Sequence, residues 1–185
     1  MTVREHIRLQ TPHYILRTLE PADVSQGWTQ WLADSDTARM LNAQARAANI
    51  DEIRQYVAGF DGHNNHLLGI FEKDGGALVG IRAIYIDWAS KEFVVNVLVG
   101  DAQSRGKGAR AETADALYDH FFGTLGMAAA RCSVLAHNAA ILKVMDARGW
   151  QLTGSSSKPA IDGSAPLELR LYRLARETWA GWRQR

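Results

Sequence analysis

Cysteine is nearly absent from this sequence, since Cys132 is the only one among 185 residues. A single thiol excludes an internal disulfide framework and a zinc site built from several cysteines. We interpret Cys132 as a small core residue within a strand rather than as a reactive thiol. The sequence therefore predicts neither a disulfide-stabilised protein nor a bound metal.

Long apolar runs are lacking as well. No uninterrupted apolar stretch approaches the roughly 18 residues that a membrane-spanning helix requires. The first eight residues carry charges where a secretory signal peptide would be apolar. We therefore expect a cytoplasmic protein that makes no contact with a membrane.

Neither sign of charge dominates, because the sequence has 21 Lys and Arg residues and 20 Asp and Glu residues, for a net charge of +1. This balance gives no general attraction to nucleic acid, so we expect no nucleic-acid partner. The hydrophobic fraction of 46% and the charged fraction of 22% are ordinary for a globular protein. Without repeats or a recognisable linker, the sequence predicts a single domain over residues 1–185.

Residues 92–122 contain a predicted strand, a glycine-rich loop and a helix in direct succession. The Val- and Phe-rich residues 93–99 are typical of a buried strand. The loop that follows reads Arg105-Gly106-Lys107-Gly108. From Ala109 onward, apolar residues recur at helical spacing and predict one buried helix face. This face comprises Ala114, Leu117, Tyr118 and Phe121.

The glycine-rich loop has the composition of an anion-binding site. Glycines let the main chain approach an anion closely, and a helix N-terminus adds free N–H groups and partial positive charge. Arg105, Lys107 and Arg110 add full positive charges at the same point. The segment therefore predicts a binding site for a pyrophosphate, which we call the phosphate seat.

Several nucleotide ligands use such a loop. A Walker A loop is excluded, because Asp101 replaces its first glycine and Gly108 replaces the Ser or Thr after its lysine. Residues 106–111 fit the G-x-G-x-x-G/A pattern of dinucleotide-binding proteins. The acidic residue that this pattern expects about 20 positions later is missing from residues 135–138. A dinucleotide-binding oxidoreductase remains an alternative.

The loop resembles the coenzyme A loop of GNAT-superfamily N-acetyltransferases, whose pattern is Gln/Arg-x-x-Gly-x-Gly/Ala. Gln103-x-x-Gly106-x-Gly108 is a complete match, and Arg105-x-x-Gly108-x-Arg110 is a second register that ends in Arg. The chain is most similar to the branch of ribosomal-protein N-terminal, polyamine and amino-sugar acetyltransferases. Asn138, followed by Gly149-Trp150, resembles the family's Asn-x10-Gly-Phe pattern.

The resemblance implies acetyl-CoA as co-substrate, together with a set of coenzyme contacts. Backbone groups of the fourth strand hold the pantetheine in this family, and the Asn side chain also contacts it. The implied contacts are Leu98, Val99, Gln103, Arg105, Gly106, Lys107, Gly108, Ala109 and Asn138.

The predicted elements follow the GNAT order over residues 13–174. We expect an α/β (α+β) fold with a mixed, mostly antiparallel sheet of six to seven strands and about four helices. The first helix, near residues 24–41, breaks at Asp34-Ser-Asp36, and the second is capped by Asn49 or Asp51.

The catalytic side chains are less clear from the sequence. Relatives carry a Tyr or a Ser as proton donor on the helix after the Asn, but Met145 and Ile141 occupy these positions and cannot donate a proton. Asn96, in the central strand, is suited to holding a water molecule. The candidates for a base are Asp87, His137 and His66.

Taken together, these features predict an acetyl-CoA-dependent N-acetyltransferase. We expect the acetyl group to reach a primary amine of a small molecule or a protein N-terminus by direct attack in a ternary complex. Trp28, Trp31 and Met40 are candidates for the wall of the acceptor site. Because the usual acid is missing, a non-catalytic acyl-CoA sensor or partner module is a second alternative. The Trp-bearing tail at 176–185 is a candidate contact for a homodimer.

Overall fold

The structure is a computed structural model that describes residues 5–35, 37–38, 46, 48–161 and 163–184. The described strands are β1 Arg8–Gln10, β2 Tyr14–Thr18, β3 Asn65–Glu72, β4 Leu78–Asp87, β5 Glu92–Val99, β6 Ala129–Leu135, β7 Gln151–Lys158 and β8 Leu167–Ala175. The described helices are α1 Gln26–Ala33, α2 Ile50–Ala58, α3 Ala109–Asp119, α4 Ala139–Ala147 and α5 Arg176–Arg183.

The eight described strands form one sheet in the order β1-β2-β3-β4-β5-β6-β8-β7. Strand β1 pairs antiparallel with β2, β2 with β3, β3 with β4, β6 with β8 and β7 with β8. Strands β5 and β6 run parallel through the register pairs from Glu92↔Ala129 to Val94↔Arg131. The predicted fold class is confirmed. The sequence analysis missed β1, because a charged strand of three residues has no clear alternation of apolar and polar residues.

The chain divides into two compact units, one of Met1–Tyr85 with Asn96–Leu117 and the other of Ile86–Val95 with Tyr118–Arg185. The expectation of a single domain remains a prediction. None of the described helices is long and apolar enough to cross a bilayer.

The core of the first unit packs α1 and α2 against strands β3, β4 and β5. Its helix residues are spaced for burial on one side: Trp28 and Trp31 on α1, and Ile53 and Val57 on α2. The side chain of Asn49 caps α2 by accepting a hydrogen bond from the N–H of Asp51 at 2.9 Å. Of the two predicted caps, Asn49 is therefore confirmed.

The predicted break in the first helix is also confirmed, because α1 ends at Ala33 and its C-cap residue, Asp34, has an extended backbone. The carboxylate of Asp34 accepts a hydrogen bond from the N–H of Thr37 at 2.7 Å. Asp36 and Met40, which the sequence analysis placed in this segment, lie outside the described residues.

The core of the second unit is aromatic. Phe93 of β5 packs on Phe121 with ring centroids 4.7 Å apart, and Tyr118 contacts Trp150 and Trp179 edge-on. The main chain after α3 widens into a π-helical turn at His120–Thr124, which buries Phe121. The predicted homodimer contact at the tail is untested, but Trp179 is 3% exposed within its own unit.

Candidate functional site

The glycine-rich loop joins β5 to α3 in the first unit. Gly106 and Gly108 have φ angles of +80° and +87°, in the left-handed region that disfavours other residues. No atom lies within 4 Å of the position that a Cβ would take at either glycine. Among the described residues, the N–H groups of Gly106, Gly108 and Ala109 have no acceptor. The loop therefore presents unpaired donors at the positive end of a helix.

The side chains of three residues, Tyr14, Arg82 and Glu112, hold this loop and the first turn of α3 in place. The hydroxyl of Tyr14 donates to the carbonyl of Lys107 at 3.3 Å. The buried guanidinium of Arg82, on β4, donates from Nε to the hydroxyl of Thr113 at 3.1 Å and from Nη2 to the carbonyl of Arg110. The N-terminus of α3 is thus fixed to β2 and β4 by side chains whose burial excludes water.

The third contact is made by Glu112, one turn into α3. Its carboxylate accepts hydrogen bonds from the hydroxyl of Thr11 and from the backbone N–H of His13 at 2.7 Å, and it contacts the His13 ring at 2.9 Å. Burial raises the pKa of Glu112, but these hydrogen bonds outweigh burial, so its pKa lies below the ordinary value. Glu112 therefore ties α3 to the β1–β2 turn as a carboxylate.

Arg105 points into the protein rather than toward the open side of the loop. Its guanidinium donates to the carbonyls of Val99 at 3.3 Å and Gly100 at 3.2 Å, and to the hydroxyl of Thr37 at 2.6 Å. It also lies 3.4 Å from the carboxylate of Asp34. These contacts link the start of the loop to the segment after α1. The predicted role of this side chain at a phosphate is untested, and Lys107 is the exposed cation of the loop.

A cavity of about 460 Å³ lies beside the loop. Gln103, Arg105 and Lys107 line it, but so do the carboxylates of Asp34, Glu72 and Asp101. The hydroxyl of Ser104 lies 2.6 Å from Asp101 and 3.2 Å from Glu72. Three carboxylates would repel a pyrophosphate, so the donors of Gly106, Gly108 and Ala109 form the better phosphate seat.

The two predicted pantetheine contacts on β5 face in different directions. The N–H of Gly100 donates to the carbonyl of Val79 on β4 at 3.0 Å. Because backbone groups alternate in direction along a strand, those of Leu98 face β4 and those of Val99 face away from it. Gly80 lets β4 approach closely here, since a Cβ on Gly80 would lie 2.5 Å from the carbonyl oxygen of Leu98.

A second cavity, of about 370 Å³, lies between α1, α2, β4 and β5 in the same unit, and we call it the β5 cavity. Its apolar wall includes Trp28, Leu32, Ile53, Ile81, Ala83 and Leu98. Asn96 lines the cavity as well, as does Trp28, which was one of the predicted wall residues. Trp31 instead lies at the first cavity, and Met40 is outside the described residues.

Three polar lining residues of the β5 cavity were not predicted. Arg46 and Glu52 form an ion pair at 3.0 Å, and Tyr56 lies one helical turn after Glu52. Burial and the neighbouring hydroxyl of Tyr85 raise the pKa of Tyr56 to about 12, so its hydroxyl stays protonated. The sequence did contain one signal for two of them. Glu52 and Tyr56 are spaced i, i+4 on α2, on either side of the buried Ile53, and this spacing places them on the same side of the helix.

The other predicted site residues belong to the second unit. The side chain of Asn138 caps α4 by accepting a hydrogen bond from the N–H of Ile141 at 3.3 Å. His137 is exposed beside it. The carboxylate of Asp87 accepts from the hydroxyl of Ser90 at 2.7 Å and from the N–H of Ala89 at 3.0 Å. The Ser90 hydroxyl and the backbone donors lower the pKa of Asp87, which weakens it as a base.

Three further residues named in the sequence analysis lie within the described part of the chain. His66, on β3, is 1% exposed. Met145 and Ile141 are both partly exposed on α4. No group of three or more His, Cys, Asp or Glu side chains among the described residues is arranged to hold a metal ion.

Comparisons with known proteins place this geometry in a family. The model of the GNAT acetyltransferase domain matches residues 13–151. A GNAT acetyltransferase from Bacillus anthracis superposes with a TM-score of 0.75 at 16% identity, covering 92% of this chain and 99% of that one. The ribosomal-protein-S5-alanine acetyltransferase of Vibrio fischeri gives 0.77 at 14% identity, covering 94% and 98%.

A third similar structure contains ligands. Spermidine N-acetyltransferase from Vibrio cholerae, in complex with CoA and spermine, superposes with a TM-score of 0.77 at 12% identity, covering 90% of this chain and 98% of that one. A comparison with curated proteins gave no match. Since the domain model spans most of its length, the chain belongs to the GNAT acetyltransferase family, whose members use acetyl-CoA and in general acetylate amines.

Proposed function

We propose that this protein transfers the acetyl group of acetyl-CoA to a primary amine of a small molecule or a protein N-terminus while both substrates are bound. One observation carries the proposal. Strand β5 lines the β5 cavity with Asn96 and Leu98, and the chain that leaves its end at Val99 forms the glycine-rich loop. Two ligand sites are thereby built on β5 and on the loop that directly follows it, which favours direct transfer between them.

The residues of the loop fit the pyrophosphate of acetyl-CoA. The N–H groups of Gly106, Gly108 and Ala109 would donate to its oxygens, and Lys107 would balance its charge. We further propose that the outward N–H of Val99 contacts the pantetheine. The NH2 group of Asn138 takes no part in the α4 cap, and we keep its predicted role as a coenzyme contact as a proposal for the second unit by itself. When bound, acetyl-CoA supplies the thioester that the amine attacks.

The polar residues of the β5 cavity are suited to preparing an amine for attack. An ammonium ion has no lone pair, so the acceptor must lose a proton first. We propose that the side-chain amide of Asn96 holds a water molecule, and that this water passes the proton toward the carboxylate of Glu52. Because its pKa is raised, Tyr56 stays protonated and cannot serve as the base, although its hydroxyl can donate or accept a hydrogen bond.

The leaving thiolate needs no protein acid in this proposal. Met145 and Ile141 occupy the positions where relatives place a donor, and neither can donate a proton. A thiol has an ordinary pKa of about 8.5, so a thiolate is already a moderate leaving group at neutral pH. Since acetyl-CoA is available in the cytoplasm, we place the reaction there.

The test is acetyl-CoA consumption and product identification against amino sugars, polyamines, amino acids, apolar amines and peptide N-termini. Acetylated product from any class supports the proposal. Tight binding of acetyl-CoA without product from any amine would favour the acyl-CoA sensor, whose support is the missing acid at Met145. Binding of NADH but not of acetyl-CoA would favour the oxidoreductase, which the loop pattern alone supports.

A further inference from the structure

The buried wall of the β5 cavity is apolar on each element that contributes to it. Trp28, Ile53, Ala83 and Leu98 are each less than 9% exposed, and Ile81 completes the surface between them. A cavity of about 370 Å³ is at the small end of ligand pockets, which span roughly 300–1,000 Å³. This space suits one ring or a short branched chain in contact with the Trp28 indole.

The polar groups of the β5 cavity lie at its exposed edge. Asn96 and Tyr56 are exposed, and the guanidinium of Arg46 and the carboxylate of Glu52 have side-chain exposures of 64% and 53%. Glu52 is the sole carboxylate among the described lining residues, and it is paired with Arg46 at 3.0 Å. One end of a ligand can therefore contact polar groups while its other end contacts only apolar side chains.

This arrangement discriminates between classes of amine. A polyamine carries further cations that would lie against the apolar wall, where no described residue other than Glu52 offers a counter-ion. Burying an uncompensated charge is strongly unfavourable. The hydroxyl groups of an amino sugar would lose their hydrogen bonds to water in the same place. An apolar body instead gains free energy from burial against Trp28 and Ile53.

We infer that the acceptor is a primary amine with a single positive charge and an apolar, preferably aromatic, body. The inference rests on the proposed function for the same site. The amine nitrogen lies at the edge near Asn96 and Glu52, and the body lies against Trp28. In the reaction a nitrogen–carbon bond forms to the acetyl group and the carbon–sulfur bond breaks. The ammonium loses one proton through water before it attacks, and the nitrogen loses a second proton to water once the nitrogen–carbon bond has formed. The coenzyme leaves as its thiolate, which takes up one proton from solvent, so one proton is released overall.

The first test compares 2-phenylethylamine, spermidine and glucosamine as acceptors at saturating acetyl-CoA. We expect kcat/KM for 2-phenylethylamine to exceed that for either polar amine by at least about tenfold. Equal or higher kcat/KM for spermidine or glucosamine would overturn the inference and leave the proposed function intact.

The second test changes the wall of the cavity. Ile81→Asn should lower kcat/KM for 2-phenylethylamine at least about tenfold, because an amide replaces a wall that the ring contacts. Leu32→Gln, at a half-buried position of the wall on α1, serves as a milder variant in case the first does not fold. Ile161→Asn is the matched control, since Ile161 is 51% exposed and does not line the cavity. Acetyl-CoA affinity should be unchanged in all three variants.

A binding measurement separates this inference from the proposed function. Titration of 2-phenylethylamine should change the tryptophan fluorescence of the protein, and Ile81→Asn or Leu32→Gln should weaken that binding. If the amine binds in this way but acetyl-CoA neither binds nor reacts, the proposed function fails and the cavity assignment stands. If 2-phenylethylamine neither binds nor reacts, the inference is overturned, whatever acetyl-CoA does.

Discussion

The indole of Trp31 lies directly on the backbone of Gly100, where the chain leaves β5 for the glycine-rich loop. A Cβ at Gly100 would lie 2.0 Å from Cδ2 of this ring, far inside van der Waals contact. Gly100 is therefore needed for space, since its φ is not in the left-handed region. Trp31 is 8% exposed and packs on Trp28 with ring centroids 5.8 Å apart. The start of the loop and the wall of the β5 cavity are thus parts of one packed cluster.

Gly100→Ala should destabilise the protein and weaken both of its ligand sites. The added methyl must displace Trp31 or the loop, and overpacking of this kind costs about 2 kcal/mol. We expect a lower urea midpoint and a lower affinity for acetyl-CoA. Gly181→Ala is the control, since no atom lies within 4 Å of its Cβ position in α5. That variant should gain up to about 1 kcal/mol from helix propensity. Equal effects in the two variants would contradict this packing argument.

Gly108→Glu should abolish acetyl-CoA binding while the protein remains folded. A carboxylate would stand beside the N–H groups that we assign to the pyrophosphate, and it would repel that anion. Gly75→Glu is closely matched, because Gly75 has a φ of +86° and equally open surroundings in the β3–β4 turn. Calorimetric titration should show lost affinity in the first variant and unchanged affinity in the second. Unchanged affinity in Gly108→Glu would mean that the phosphate seat is elsewhere.

Arg105→Lys should destabilise the protein even though it keeps the positive charge. The planar guanidinium contacts Val99, Gly100 and Thr37 at once, and an ammonium group cannot reproduce this geometry. We expect a loss of about 1–3 kcal/mol in urea unfolding, from hydrogen bonds worth about 1 kcal/mol each.

Two further variants serve as controls for the Arg105→Lys measurement. Arg54→Ala removes an exposed ion pair with Asp51 at 3.0 Å and should change stability by less than about 0.5 kcal/mol. Lys107→Ala should weaken acetyl-CoA binding without changing stability. If Arg105→Lys leaves stability unchanged and Arg105→Ala weakens only coenzyme binding, then Arg105 is a phosphate contact after all.

From the lowered pKa of Glu112 we expect the stability of the protein to depend on pH in a specific way. Its folded pKa lies below the ordinary value of 4.5, so its contribution to stability is present above pH 4.5. This contribution is lost as the pH falls through the folded pKa, because the carboxylate must be protonated there. Glu112→Gln should therefore be less stable than the wild type at neutral pH, and the difference should shrink as the pH is lowered below 4.5. Urea unfolding across this range checks it, and a constant difference would contradict it.

Local features of the fold were predictable from the sequence. The strand at 93–99, the positive-φ glycines and the helix that begins at Ala109 all depend on short-range periodicity and backbone sterics. The caps at Asn49 and Asn138 depend on one side chain and a neighbouring N–H. These interactions span only a few residues, so one sequence is sufficient to predict them.

Features that depend on distant residues were not predictable in this way. The ion pair of Arg46 with Glu52 lines a cavity only because α2 packs near β4 and β5. Arg105 was assigned to a phosphate from its position in a motif, but its contacts reach Thr37, 68 positions away. Periodicity indicates which face of a helix or strand is buried. It does not indicate which distant residues pack against that face, and these contacts depend on that packing.

The most direct test of the central claim is an initial-rate measurement in which acetyl-CoA and the best acceptor of the amine panel are both varied. If the loop and the β5 cavity hold both substrates at once, double-reciprocal plots should give intersecting lines. Parallel lines would indicate a covalent acetyl-enzyme that forms before the amine binds, and would contradict direct transfer along β5.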